Sequence, residues 1–293
     1  MSFYVPAAGA ILSHDIADYP EGIVLPVDKP YRWTSADVIR KLKFAAIRHF
    51  GKKNLKVGHA GTLDPLATGI LLVCIGPACK QAQQLQDHDK EYIARIRFGA
   101  TTPSYDLEKE VDRRFPFEHI SADAVRTVLP TFLGEQEQVA PLFSAKSVDG
   151  VRAYELARKF YRAGQTSAID SAALETLQRN KIVISELELL DFVPGGDGDR
   201  VRGAGVERSE TVSPRTLSPS ARINVADTSA LGLPEAVIRI ACSKGTYIRA
   251  FARDLGEALG SGAHLGGLIR SRSGFFTLDT ALTQDAALAL FQH

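Results

Sequence analysis

Apolar positions along the chain change period several times, and each change predicts an element. Residues 23–27 (IVLPV) form a short apolar run of strand length. After them Val38, Leu42 and Ala46 fall at helical spacing, which predicts a helix that Thr34 or Ser35 can cap. Residues 70–75 (ILLVCI) are apolar without interruption and predict a buried strand, followed by a short polar helix near residues 78–85. In residues 91–98 the period becomes two: Tyr92, Ala94, Ile96 and Phe98 alternate with Glu91, Ile93, Arg95 and Arg97, the pattern of a strand. Further along, helices are predicted over 121–133, 153–162 and 247–259, and strands over 181–192, 236–242 and 271–278. The alternation lacks the regular rhythm of βαβ units, so the expected class is mixed α and β around one large sheet.

Composition alters this picture at two places. Residues 194–230 are rich in Gly, Ser, Pro, Arg and Asp and poor in large apolar side chains, which describes a mobile insertion. Residues 139–150 (VAPLFSAKSVDG) read as an exposed loop that leads into the helix at 153–162. The 293 residues, 45% of them hydrophobic, are ample for a packed core. The amino terminus has no basic region followed by a long apolar stretch, and no uncharged run reaches the roughly 20 residues of a membrane helix. No membrane partner is therefore expected, and a cytoplasmic location is. Cys74, Cys79 and Cys242 lack the spacing of a zinc site and read as reduced structural thiols. No metal site and no phosphate-binding Walker loop is found, so neither metal nor cofactor is expected.

Thirty-five basic and 34 acidic residues nearly cancel, so attraction for nucleic acid has to come from local clustering. Such a cluster lies between residues 40 and 56, where Arg40, Lys41, Lys43, Arg48, Lys52, Lys53 and Lys56 occur without one acidic residue. A solvated helix face is the commoner origin of a charge run. Seven uncompensated cations immediately before a candidate active site favour a phosphate track, with Lys52 and Lys53 as substrate-binding residues.

That candidate site is the string Gly58-His59-Ala60-Gly61-Thr62-Leu63-Asp64-Pro65-Leu66-Ala67-Thr68-Gly69. Its glycines permit unusual backbone angles or close approaches, Pro65 fixes its own φ, and the residue before a proline is pushed toward extended geometry. Asp64 is therefore expected on a stiff turn. An Asp-Pro pair alone is most often a plain turn. The whole string resembles the catalytic loop of the TruB family of tRNA pseudouridine synthases, which isomerise the T-loop uridine at tRNA position 55.

Other segments resemble the same family in the same order. Gly22 to Pro30 (GIVLPVDKP) with Thr34-Ser35 resembles its first motif, although Arg32 stands where a glycine is usual. Lys90-Glu91-Tyr92 resembles the segment supplying an active-site tyrosine. Residues 141–158 resemble a thumb loop that closes over the RNA, with Ala140 in place of the first of two prolines and Ser147 in place of a usual lysine. Cys242-Ser243-Lys244-Gly245-Thr246-Tyr247-Ile248-Arg249, then Asp254-Leu255-Gly256 and Gly262-Ala263-His264-Leu265, complete the match, and Leu268 falls where the family places an active-site leucine. The resemblance covers residues 22–276 and leaves 194–230 unmatched; seventeen residues follow Phe276, which implies a form without a carboxy-terminal PUA domain. It implies a single catalytic domain over 1–293, with a thumb-like loop and helix at 139–165, in the α+β pseudouridine synthase fold with a large, mostly antiparallel mixed sheet.

The reaction breaks the bond from C1′ to N1, turns the uracil and rejoins it through C5. The resemblance makes Asp64 the nucleophile or electrostatic partner; attack on C1′, attack on C6 and promotion of C2′ proton loss all stay open. A neighbouring guanidinium favours a charged carboxylate, and Arg249 is the candidate. Tyr92 would stack on the flipped uracil and assist proton removal from C5, Tyr247 and Leu268 would line the uracil pocket, and His59 would fill the gap left by the flipped base. Lys29 is either a surface charge or a cation at the edge of the site. The implied partner is the T-arm of tRNA, bound by a monomer that needs no second protein. An RNA-binding folding factor with incidental catalysis, and a guide-RNA-dependent ribonucleoprotein, are the competing readings.

Overall fold

The computed structural model describes residues 3–141, 147–148, 151–152, 179–196, 223 and 225–292. In chain order its principal elements are β1 (Ile23–Lys29), α1 (Ser35–Phe50), β2 (Val57–Ala60), β3 (Ala67–Ile75), α2 (Ala82–Asp87), β4 (Lys90–Phe98), α3 (Ala122–Val128) and β5 (Gly134–Val139). They continue with β6 (Arg179–Val193), β7 (Glu235–Cys242), α4 (Ile248–Ala258), β8 (Ala263–Ser273), β9 (Phe276–Thr277), β10 (Leu282–Thr283) and α5 (Gln284–Ala289). The strands make a large mixed, mostly antiparallel sheet, as expected of the α+β class. The chain divides into two compact units: residues 1–92, 207–223 and 268–293 form the first, and residues 93–206 and 224–267 the second.

In the first unit the strand order is β10-β1-β3-β8, with β2 added to β3 and β9 to β8. Strand β3 is the centre: β1 runs antiparallel to it with Lys29 opposite Gly69, and β8 runs parallel with Leu268 opposite Ala67 and Arg270 opposite Gly69. Its uninterrupted apolar sequence follows from burial on both faces. Leu71, Val73 and Ile75 face a cluster with Leu25, Val27, Trp33, Val38, Leu42, Ala46 and Phe50, whereas Ile70, Leu72 and Cys74 face one with Val24, Ala60, Ala78, Leu85 and Phe276. Burial pushes the Cys74 thiol up to about 12, which keeps it protonated and inert, in keeping with a structural cysteine.

Helix α1 begins with a capping box: the Thr34 hydroxyl accepts from the Asp37 N–H at 3.1 Å, and the Asp37 carboxylate accepts from the Thr34 N–H at 3.2 Å. It ends at Gly51, whose φ of 60° is the left-handed stop that glycine allows.

In the second unit the order is β4-β7-β6-β5. The alternating arginines of β4 meet a buried carboxylate, for Glu235 on β7 accepts from Arg95 Nε at 2.7 Å and Arg97 Nε at 2.8 Å. Gly196 donates to the Gly232 carbonyl at 3.0 Å, so a backbone hydrogen bond joins positions near the two ends of the 194–230 insertion.

Several expected boundaries are corrected. Residues 57–60 are a strand rather than loop, because pairing with β3 supplies the hydrogen bonds that the sequence does not announce. The helices read at 78–85 and 121–133 each divide into a short α-helix and a 3₁₀ turn that holds a proline, Pro77 or Pro130, which cannot donate within a helix. The strand read at 271–278 is the end of β8, a turn at Gly274 with φ of 59°, and β9. Strand β5 was not expected: its Glu-Gln-Glu-Gln run is polar, and pairing to β6 carries it. The helix at 153–162 lies outside the described residues, as do most of the 139–165 thumb segment and the 194–230 insertion.

Candidate functional site

The Asp64 turn joins β2 to β3 in the first unit, and every backbone carbonyl from Gly61 to Pro65 has a donor. Arg270 donates to Gly61 O from Nη2 at 3.0 Å and to Thr62 O from Nη1 at 3.5 Å. Ser35, at the start of α1, donates through its hydroxyl to Leu63 O at 3.1 Å and accepts from Leu63 N–H at 3.0 Å. Ala67 N–H closes on Asp64 O at 3.1 Å. Pro65 O receives both the Arg32 N–H at 2.9 Å and the Lys29 ammonium at 3.2 Å. The stiff turn expected from Gly61 and Pro65 is held, in addition, by side chains from three other elements.

Lys29 is not a surface charge. It is fully buried, and its Nζ also donates to Trp33 O at 2.6 Å and Pro30 O at 3.0 Å. Burial drives its pKa down to about 7, Arg270 pushes in the same direction, and the charges of Asp64, Asp28 and Asp37 resist the fall. Arg32 stands at a φ of 62°, the left-handed region that favours the usual glycine and costs an L-residue about 1–2 kcal/mol. Its guanidinium makes a compensating bond to Ile223 O at 2.5 Å.

His59 on β2 is half-buried, opposite Val73. Burial, and secondarily the charge of Arg270, hold its pKa below the ordinary histidine value. A neutral ring suits stacking better than acid catalysis at neutral pH. Tyr92 and Leu268 are partly buried and both pack against the core beneath α1. The first unit thus holds Asp64, Lys29, His59, Tyr92 and Leu268.

Tyr247 and Arg249 lie in the second unit, at the head of α4. Gln138 fixes Tyr247 by its backbone, accepting from Tyr247 N–H at 2.8 Å and donating to Tyr247 O at 3.1 Å. Arg249 is buried; it donates to Ser104 O at 3.2 Å, and its Nε lies 3.8 Å from the Asp106 carboxylate. Asp106 itself accepts from the Ser104 hydroxyl at 2.6 Å and from Glu108 N–H at 2.9 Å. Sequence reasoning named Ser35 only as a possible cap and motif residue, and missed Asp106, Gln138 and Arg270. Arg270, in a Leu-Ile-Arg-Ser-Arg run, gave no sign of being buried.

Along α1 and its exit, Arg40, Lys41, Lys43, Arg48, Lys52, Lys53 and Lys56 are all exposed. Arg40 is held by Asp37 at 2.8 Å, and Lys41 lies 5.2 Å from the centre of the Trp33 ring. Phe44, one helical turn from both Arg40 and Arg48, leaves 73% of its surface in solvent. Among the described residues, no cluster of three or more His, Cys, Asp or Glu side chains could hold a metal ion, and no helix is long and apolar enough to cross a membrane.

The fold is similar to that of chains in two solved complexes. One is a Cbf5–Nop10–Gar1 complex, with a TM-score of 0.54 and 23% identity over 90% of this chain and 52% of that one. The other is an H/ACA ribonucleoprotein bound to a substrate RNA containing 2′-deoxyuridine, with a TM-score of 0.52 and 21% identity. This chain spans about half the length of each. Residues 48–192 match the model of the TruB family pseudouridylate synthase N-terminal domain. The matching family model marks the class as that of the pseudouridylate synthases. More closely related sequences are the tRNA pseudouridine synthase B of Phocaeicola vulgatus, 44% identical over 92% of this chain and 93% of that protein, and that of Bacteroides fragilis, 45% identical over 90% and 92%. The chain belongs to the TruB family of pseudouridylate synthases.

Proposed function

We propose that this protein converts uridine to pseudouridine at position 55, in the T-loop of tRNA, with Asp64 as the nucleophile. The observation that carries the reading is the Asp64 turn, whose five carbonyls from Gly61 to Pro65 are all engaged. A carboxylate on a turn fixed in this way can meet C1′ or C6 of a flipped nucleotide without ordering itself first. Breaking the bond from C1′ to N1 frees the uracil, rotation brings C5 to C1′, and the proton lost from C5 is balanced by one gained at N1. Tyr92 stacks on the base and assists removal of the C5 proton, Tyr247 and Leu268 line its pocket, and His59 fills the vacated stack. Arg249 supplies a guanidinium to the reaction. The cations of α1 and its exit, Lys52 and Lys53 among them, track backbone phosphates. No cofactor or second protein takes part, and the enzyme works as a cytoplasmic monomer.

Incubating an unmodified tRNA transcript with purified protein, followed by carbodiimide-blocked reverse transcription, tests this. The expected result is a single T-loop stop with wild type and none with Asp64→Asn. Equal stops from both proteins would remove Asp64 from the chemistry, and tight binding with no stop from either would favour the folding-factor reading.

A further inference from the structure

Arg270 lies on β8, opposite Gly69, and only 2% of it is exposed. A guanidinium carries five N–H donors in a fixed plane and no acceptor, so burying one calls for acceptors arranged in that plane. Here the acceptors belong to the Asp64 turn and to the strand that leaves it. Nη2 and Nη1 reach Gly61 O and Thr62 O, before the aspartate, while Nε donates at 2.7 Å to Ile70 O, after it. One planar group therefore bridges the chain entering the turn and the chain leaving it. Its reach depends on a close approach of strands: a Cβ on Gly69, where φ is 97°, would stand 2.3 Å from the Arg270 carbonyl oxygen. A Cβ on Gly61 would stand 3.4 Å from Nη1. Leu268, two residues earlier, shares Arg270's face of β8.

We propose that Arg270 is a positioning residue for the reaction, a buried clamp that spans the Asp64 turn and fixes the orientation in which the carboxylate meets the nucleotide. This inference rests on the reading of Asp64 as the reacting group. Neither Ser35 nor Lys29 can replace the clamp, since the hydroxyl is spent on Leu63 and the ammonium donates beyond the aspartate, at Pro65. A lysine at position 270 would keep the charge and lose the bidentate plane. The Arg270 charge also bears on His59, which gives the clamp a spectroscopic reporter.

The test uses the full chain and a tRNA transcript, with single-turnover rates at saturating protein, tRNA affinity and the His59 imidazole titration measured for wild type, Arg270→Gln, Arg270→Lys and Asp64→Asn. For Arg270→Gln the expected result is a rate loss of about 100-fold with tRNA affinity within about twofold, the signature of a reacting group misplaced by a fraction of its reach. Arg270→Lys should recover roughly tenfold of that loss, because one carbonyl and the charge are kept. The His59 titration should move upward in the glutamine variant and stay near wild type in the lysine variant. A folded Arg270→Gln protein at the wild-type rate, or affinity lost in step with rate, would overturn the proposal. If the glutamine variant does not fold, Arg270→Lys decides: slowed turnover with intact affinity supports the clamp, and wild-type turnover overturns it. Asp64→Asn separates the two levels, since activity in that variant removes the underlying reading. A dead Asp64→Asn beside full-speed Arg270 variants removes only the clamp.

Discussion

Two stretches of the first unit handle charge and backbone in opposite ways. At the Asp64 turn, cations are buried and spent on carbonyls: Lys29 on Pro30, Trp33 and Pro65, Arg270 on Gly61, Thr62 and Ile70. Along residues 40–56, the cations stand in solvent, and among the described residues only Arg40 pairs with a carboxylate. The first arrangement suits chemistry, where a displacement near 1 Å can cost about 100-fold in rate. The second suits capture of a polyanion whose phosphates vary in position, and its strength depends on salt. One unit therefore carries a rigid device and an adaptable one, and a variant in either should report which it struck.

Asp64→Asn gives the largest contrast. The expected loss in turnover is roughly 10⁶-fold, the scale for deleting a nucleophile, with tRNA affinity unchanged in a filter-binding titration. A parallel loss of affinity would merge the two regions into one. Replacing Lys52 and Lys53 together by Gln should act the other way, weakening binding by about tenfold at low salt and flattening the salt slope by roughly 2, while turnover at saturation holds. An unchanged slope would remove these lysines from the phosphate track.

A third test turns on Lys29. Its folded pKa of about 7 lies below the unfolded value of 10.5, so between those limits the unfolded chain holds the extra proton and the fold gains stability as pH rises. Below pH 7 both states are protonated and the full cost of the buried cation is present. Urea unfolding of wild type against Lys29→Met, from pH 7 to 10, should show the wild type gaining up to about 1.4 kcal/mol per pH unit relative to the variant. Parallel profiles would contradict this. The smallest effect concerns Arg32, where Arg32→Gly relieves the φ of 62° and Arg32→Ala does not. The alanine variant should be less stable by about 1 kcal/mol in the same assay.

The sequence made some of this plain and hid the rest, for reasons visible in particular residues. The capped start of α1, the buried β3 and the alternation of β4 follow from local pattern, and all three stand where expected, apart from a residue or a few at their ends. The Asp64 turn was legible because glycine and proline constrain the backbone wherever they occur. The grip of Ser35, Lys29 and Arg270 on that turn was not, since any residue supplies a carbonyl and a side-chain bond to one leaves no trace in the acceptor's identity. Arg32 shows the converse: its residue type was conspicuous, but the reason for a glycine there is a backbone angle, invisible until the turn is built.

The distances along the chain between the turn and its donors carry a consequence for how the enzyme comes into being. Ser35 is 28 residues from Leu63, whereas Arg270 is 209 residues from Gly61. Loops that long close late in folding, after local helices and hairpins have formed. During synthesis the aspartate leaves the ribosome long before the arginine that spans its turn. On the proposed reading, the nascent chain presents its basic helix while the Asp64 turn still lacks its clamp, and docking of β8 is the step that completes the turn.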